Sequence, residues 1–293
     1  MREAPKPRTS PAVAGWELML RVRQQSRSHG IAGNKIQKAL GVSAAYWSQV
    51  THFRGVLTEE KLRALLDLLE FEPDEQRELL SLREMAKQRG WWNEFSAIFD
   101  DEQMRFYGLE AGAQRIRSVD VCVVPGLLQT EDYVAALVSS IVSTGRPIEA
   151  KQRVRARLLR QRLLDGPDPL QLSVIIGQAA LMQQVGGREV QRQQLRHLIE
   201  QVERHPENLD LRVIPFDAQG SIASLNAATF HLLDFESPRL PTMAWMETAI
   251  YGELTDNARD VDALDYVYNQ LWGAALERDE SLKLIDEVSN RTD

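Results

Sequence analysis

Residues 34–53 read NKIQKALGVSAAYWSQVTHF, and this stretch decides the fold of the first part of the chain. Apolar residues recur at helical spacing in the segments 34–40 and 44–53, which predicts two helices. Gly41 suits the left-handed position that follows a helix end. Ser43 suits the N-cap of the next helix, because its hydroxyl can accept a free backbone amide. The pattern therefore predicts two short helices joined by a tight turn.

Three further helices are predicted around this pair. The apolar spacing predicts a first helix over residues 16–28, and two later helices follow, one capped by Thr58 and one opened by Pro73. We therefore interpret residues 15–89 as an all-α domain of about five helices. Residues 1–14 are basic and rich in proline, which predicts a disordered tail.

A helix, a tight turn and a helix are typical of DNA-binding domains whose second helix enters the major groove. Apolar side chains fall where the two helices pack together, so the other face of the second helix is expected to point outward. Gln49 on that face carries an amide that can form two hydrogen bonds with an adenine edge. The candidate DNA contacts are this face and three basic residues near the helix ends: Ser43, Ala44, Ala45, Ser48, Gln49, Lys35, Lys38 and Arg54.

Charge is divided unevenly along the chain. The net charge is −7 over 293 residues, but the first 57 residues hold nine basic and two acidic side chains, so the remainder carries −14. A basic beginning on an acidic chain predicts a polyanionic partner for the first domain alone. The alternative is a basic tail beside a solvated helix.

Composition and motifs narrow the class of protein. No apolar run approaches the roughly 18–20 residues that span a bilayer, and the N-terminus lacks the apolar region of a secretory signal. The single cysteine excludes an internal disulfide, so a cytoplasmic location is expected. The five histidines are scattered, and no nucleotide-binding or nucleophile motif is present. We predict no catalytic residue, no metal and no cofactor, and we do not expect an enzyme.

Strand-like runs appear only after the tryptophan pair Trp91 and Trp92, which is typical of a packing anchor between domains. We interpret residues 90–102 as a junction and residues 103–293 as one α+β domain with a sheet of about five strands. The five runs cover residues 119–124, 170–176, 209–214, 227–235 and 242–251. Cys122 falls inside the first run, so it is predicted to be a small core residue.

One group of candidate binding residues lies on a helix predicted over residues 149–164. This helix is rich in arginine, and its candidate partner contacts are Arg153, Arg157 and Arg160. It is either a core helix with solvated flanks or a docking edge for an acidic partner, which guanidinium groups favour.

A second group lies on the last predicted strand. Trp245, Glu247 and Tyr251 alternate onto one face of that strand. A carboxylate between aromatic residues either lines a ligand pocket or completes an ion pair under the sheet. The sequence leaves these two interpretations open.

The first domain resembles the DNA-binding domain of XRE-type helix-turn-helix transcriptional regulators. Their usual pattern is a helix, then Gly-Val-Ser, then a recognition helix and a glycine, which Gly41-Val42-Ser43 and Gly55 match. Three positions depart from that pattern. Gln37 replaces an alanine where the helices touch, Ala44 replaces a glutamine that opens the recognition helix, and Gly33 replaces a phosphate-contacting glutamine.

The rest of the chain resembles the actinomycete antitoxin-like, WhiJ-type C-terminal domain of such regulators. The most specific match is the string Pro-Gly-Leu-Leu-Gln-Thr-Glu-Asp-Tyr over residues 125–133, and weaker matches include Arg89-Gly90-Trp91-Trp92 and Ala244-Trp245-Met246-Glu247. The resemblance covers about residues 16–288. It implies a small partner protein encoded nearby.

The sequence therefore predicts a DNA-binding transcriptional regulator whose C-terminal domain receives a signal from a partner protein or, less readily, from a ligand. One recognition helix reads only a few base pairs, so a homodimer on double-stranded DNA is expected. Two alternatives stay open. The departures at Gly33, Gln37 and Ala44 suit a protein-interaction module with weakened DNA binding, and the C-terminal domain alone suits an enzyme or ligand-binding protein.

Overall fold

The computed structural model of the protein describes residues 8–52, 55–141, 147–218, 229–248 and 251–291. The described chain has two parts: a helical head over residues 11–86, and a body over residues 101–291 in which a six-stranded mixed sheet packs against helices. This confirms the predicted fold class, with one strand more than the expected five. The predicted contact residue Arg54 lies outside the described residues.

The head contains five helices. They are α1 (Pro11–Ser28), α2 (Gly33–Leu40), α3 (Ala44–Thr51), α4 (Glu59–Leu68) and α5 (Pro73–Ala86). Helix α1 begins five residues before the predicted start, because Ser10 Oγ accepts the amide of Val13 at 3.2 Å and Pro11 occupies the first turn. The prediction of a tail through residue 14 is therefore wrong for residues 11–14, which are helical. Residues 1–7 of that tail lie outside the described chain.

The turn between α2 and α3 has the predicted chemistry. Gly41 has φ +59° and ψ 40°, a left-handed conformation that side chains other than glycine adopt at a cost. The amide of Val42 donates to the carbonyl of Gln37 at 3.0 Å, which satisfies a carbonyl at the end of α2. Ser43 Oγ accepts the amide of Tyr46 at 3.1 Å and caps α3.

The body contains six strands. They are β1 (Arg115–Asp120), β2 (Gln171–Gly177), β3 (Leu209–Ile214), β4 (Thr229–Asp234), β5 (Met243–Glu247) and β6 (Gly252–Thr255). Their order across the sheet is β3-β2-β1-β4-β5-β6. Strands β1, β2 and β3 are parallel, whereas β4, β5 and β6 pair in antiparallel fashion. The sheet is thus half parallel and half antiparallel, and β1 joins the two halves.

Two strand predictions are wrong in position. The first strand occupies residues 115–120 rather than 119–124, because its pairing with β2 and β4 ends near Asp120 and the chain then leaves the sheet. Cys122 is exposed and is not a core residue. The run over residues 242–251 is not one strand, since β5 ends at Glu247 and the next strand, β6, begins at Gly252.

Helices cover both faces of the sheet. They are α6 (Asp101–Glu110), α7 (Glu131–Ile141), α8 (Pro147–Gln161), α9 (Gln178–Met182), α10 (Arg188–Arg204), α11 (Ala258–Ala274) and α12 (Arg278–Arg291). Apolar residues of α6, α7, α10 and α12 share one core with the inner face of the sheet, while α11 packs on the outer face. Among the described residues, no helix has the length and apolar character needed to cross a membrane.

Helix α1 belongs to both parts of the molecule. Its first turns place Val13 and Trp16 in the body core, while its later turns place Leu18 and Val22 in the head core. The buried Arg21 guanidinium pairs with Glu78 at 2.9 Å on α5, and Glu78 also pairs with a body arginine at 3.0 Å. Head and body are therefore joined by shared packing as well as by the chain.

Candidate functional site

The outward face of α3 is built by the packing of its opposite face. Trp47 and Val50 are buried in the head core, together with apolar side chains of α1, α2 and α4. Since α-helical side chains repeat every 3.6 residues, burying these two turns the remaining face to solvent. That face consists of the exposed residues Ser43, Ala44, Ala45, Ser48 and Gln49.

Basic side chains lie on α1 and α2, the helices next to α3. Lys35 and Lys38 are exposed on α2, and neither forms an ion pair with any described residue. The guanidinium of Arg23 on α1 donates to the carbonyl of Thr51, at the end of α3. The sequence analysis did not single out Arg23, because only the packing of α1 across the end of α3 gives it this position.

The departure at Gly33 has a packing reason. A Cβ atom at this position would lie 3.3 Å from Nε1 of Trp47, which is tighter than an ordinary contact, so the indole would have to shift by a few tenths of an ångström to admit a side chain. Gln37 is half-buried. The structure offers no account of Ala44 beyond its exposure.

The body contains a cleft of about 620 Å³. It lies at one edge of the sheet, between the inner face and helices α6, α7 and α8. Both groups of candidate residues meet there, since its lining includes Arg153, Arg157 and Arg160 of α8 as well as Glu247 and Tyr251. The sequence placed these groups on separate elements, and the fold brings them to a single cavity.

Strand register creates the polar floor of the cleft. Strand β1 ends at Asp120, and its antiparallel neighbour β4 begins at Thr229. Thr229 pairs with Glu247 at the end of β5, and Glu247 pairs with Gly252 at the start of β6. Four strand ends therefore meet at this edge and bring Asp120 and Glu247 into the same cavity.

Arg160 and Glu110 form the rear of the cleft as a buried ion pair. The guanidinium of Arg160 donates from Nε and Nη2 to the two carboxylate oxygens of Glu110, both at 2.7 Å. Arg160 is 7% exposed and Glu110 is 1% exposed. Burial opposes the charge of Arg160, but the adjacent carboxylate raises its pKa. Arg160 is thus already paired inside the body, and its prediction as a docking residue for an outside protein is wrong.

Arg153 and Arg157 differ from Arg160 in their partners. Arg153 donates from Nη2 to the carbonyl of Ile98 at 2.9 Å and lies 4.9 Å from the ring centre of Phe99. Arg157 forms no hydrogen bond and no ion pair with the described residues, and its Nη1 is shielded from solvent. Burial lowers the pKa of Arg157. Arg157 is therefore a largely desolvated cation without a counterion in direct contact.

Trp245 supports the cleft from behind and does not line it. Its ring is 1% exposed and stacks on Phe106, with centroids 4.5 Å apart and planes at 15°. Its Nε1 lies 3.4 Å from a carboxylate oxygen of Glu247. Within the described residues, Glu247 forms no ion pair, which favours the pocket interpretation over the ion pair under the sheet. Tyr251 is 62% exposed and lies at the mouth.

Two further residues of the cleft lining, Asp120 and His231, have pKa values far from their usual range. Burial raises the pKa of Asp120 to about 7, even though Ser118 Oγ donates to its carboxylate. Burial, followed by the nearby charge of Arg160, lowers the pKa of His231 to about 3, and its ring stacks on Phe106 at 5.8 Å. His231 is therefore neutral at ordinary pH. The sequence analysis missed both residues, although an aspartate inside an apolar strand is a signal that was available.

The described residues contain no cluster of three histidine, cysteine or acidic side chains that could hold a metal ion. The cleft instead offers guanidinium groups, carboxylates and aromatic walls. This arrangement can bind a polar small molecule.

Comparison with known families gives one match. Residues 103–287, more than half of the chain, match DUF5753, described as a domain of unknown function. No curated protein and no solved structure matches the chain.

Proposed function

The chain belongs to the DUF5753 family, and we propose that it is a cytoplasmic DNA-binding transcriptional regulator whose body receives the controlling signal. The observation that carries this proposal is the exposed face of α3, which includes Gln49, together with the exposed Lys35 and Lys38 on the adjoining helix α2. A capped helix with one buried face and one polar exposed face has the form needed to enter a major groove. The excess of basic over acidic side chains in the first 57 residues supports the same function, because phosphates dominate DNA affinity. The resemblance of the head to XRE-type regulators agrees with it.

Binding to the DNA upstream of the protein's own gene tests the proposal. A fluorescence anisotropy titration at several salt concentrations is expected to show affinity that falls steeply as salt rises, since each phosphate contact releases counterions. Absence of binding even at low salt would refute the proposal. That result would favour the alternative of a protein-interaction module whose head no longer binds DNA.

Two variants separate base reading from phosphate contact. Gln49→Ala is expected to cost about 1–3 kcal/mol on the specific site and little on random DNA. Lys38→Ala is expected to weaken binding to every sequence alike and to lower the salt dependence. If Gln49→Ala loses the same affinity for both DNAs, Gln49 contacts the DNA backbone and not the bases.

Matched controls use the same substitutions on the body. Gln193 and Lys283 are exposed on α10 and α12, so Gln193→Ala and Lys283→Ala are expected to leave DNA affinity unchanged. A loss in either control as large as that in the head variants would place the DNA contact on the body.

The small partner protein that the resemblance implies has a suitable surface on the other side of α8. A groove of about 630 Å³ runs between α7 and α8, and its lining includes the apolar Val138, Val154 and Leu158 and the basic Lys151 and Arg162. These basic residues suit an acidic partner. If the partner controls the head, the bound partner must change the affinity of the protein for its DNA site by a certain factor. The bound DNA must then change the affinity of the protein for the partner by the same factor, typically about 5–150-fold. Measuring each affinity with and without the other ligand tests this coupling, and independence of the two would refute it.

A further inference from the structure

Arg157 has the chemistry of an unfilled anion site. Transfer of a guanidinium out of water is costly unless another group replaces the lost hydrogen bonds. Glu110 replaces them for Arg160, with two bonds of 2.7 Å. No described residue replaces them for Arg157, which lines the cleft one helical turn away. A desolvated charge that the fold itself does not pair marks a candidate binding position.

The lining of the cleft also includes hydrogen-bond acceptors. Gln129 Oε1 is buried and has no hydrogen-bond partner among the described residues. The Nε2 atom of the same side chain donates to the carbonyl of Val124. Glu247 adds a carboxylate without an ion pair. Both residues line the same cavity as Arg157. The cleft thus offers a cation and hydrogen-bond acceptors within one cavity.

We propose that the cleft binds a small anionic molecule, whose carboxylate or phosphate group pairs with Arg157 and whose hydroxyl or amino groups donate to Gln129 and Glu247. The volume of about 620 Å³ suits a small metabolite, since ligand pockets usually measure about 300–1,000 Å³. Arg153, held by the carbonyl of Ile98, lies on the same face of α8 and adds positive charge. Binding of an anion here does not require that the head bind DNA.

Cys122 provides a probe at the cavity itself. It is the one cysteine in the sequence, it is exposed, and it lines the cleft. The rate at which its thiolate attacks a disulfide reagent reports on access and local charge. The test is to measure the rates of the anionic reagent DTNB and of the uncharged reagent dithiodipyridine on the full chain, because the ratio of the two rates cancels any change in the thiolate fraction of Cys122.

Arg157→Gln is expected to lower the DTNB to dithiodipyridine rate ratio by about tenfold, because a unit charge in the same cavity attracts the anionic reagent. Arg157→Lys is expected to retain most of the ratio. The matched control is Arg155→Gln, on the same helix, where the arginine is exposed and pairs with Glu94 at 3.0 Å. This control is expected to keep the wild-type ratio.

Competition in the wild-type protein needs no variant and so does not depend on how a substitution folds. Inorganic phosphate and acetate are tested separately against sodium chloride at equal ionic strength, and slower DTNB modification with either anion supports the site. The more effective anion distinguishes a phosphate ligand from a carboxylate ligand. If neither anion slows the reaction more than chloride does, or if Arg155→Gln changes the ratio as much as Arg157→Gln, the proposal is wrong. The assay contains no DNA, so its result is separate from that of the DNA titration.

Discussion

Replacing Arg160 with methionine is expected to destabilise the body strongly. The substitution leaves Glu110, which is 1% exposed, as a buried carboxylate without the two hydrogen bonds of 2.7 Å that it now accepts. Breaking a buried ion pair by removing one partner costs about 3–5 kcal/mol. For a domain of this size each kcal/mol lowers Tm by about 2–4 °C, so a fall of about 6–20 °C is expected.

Chemical unfolding followed by tryptophan fluorescence measures this loss, and a second substitution tests its cause. The double variant Glu110→Met with Arg160→Met removes both charges and is expected to recover most of the lost stability. The surface pair Arg155–Glu94, at 3.0 Å and with both side chains solvated, provides a control, since Arg155→Met is expected to cost at most about 1 kcal/mol. A loss below about 1 kcal/mol for Arg160→Met, or a double variant no better than the single one, would contradict the reasoning from burial.

Two further predictions concern pH and assembly. The pKa of Asp120 is raised to about 7 in the folded protein, so its contribution to stability is present below about pH 4 and is lost as pH rises through 7. The free energy of unfolding of Asp120→Asn, relative to that of the wild type, should therefore increase by about 4 kcal/mol over that range. Denaturant titrations at each pH measure this difference. A pH-independent difference would mean that Asp120 titrates normally. The protein is also expected to be a homodimer when bound to DNA, and light scattering that gives a monomer at concentrations where the operator is occupied would contradict this.

Local chemistry made the head predictable. The turn depends on Gly41 and Ser43 and on the apolar spacing around them, all within about ten residues, and each of these signals acts through neighbouring backbone groups. The same holds for the cap at Thr58 and for Pro73 in the first turn of α5. What the sequence did not indicate was that α1 starts at Pro11 with Ser10 as its N-cap, since the predicted tail and the true cap share a proline-rich composition.

The cleft was only partly predictable because its parts are distant in the sequence. The arginines of α8 and the carboxylate Glu247 were recognised as candidates, but their meeting depends on strand order and register, which place β5 beside β4 and β4 beside β1. Whether an arginine is paired inside the fold or free depends on a partner elsewhere in the chain. Arg160 is paired because Glu110, about fifty residues earlier in the chain, lies against it. The spacing of residues within α8 does not indicate this partner.

Because α1 packs in the core of the head and also in the core of the body, the chain cannot simply be cut and recombined between the two parts. A fragment that starts at residue 103 would leave the body with a vacancy where Val13 and Trp16 now pack, and a head released after residue 86 would expose those same apolar side chains to water. Exchange of heads between relatives by cutting at the junction would therefore join mismatched surfaces. A functional chimera needs the incoming head to bring a first helix whose opening turns fit the recipient sheet, so head and body are expected to change together over evolutionary time.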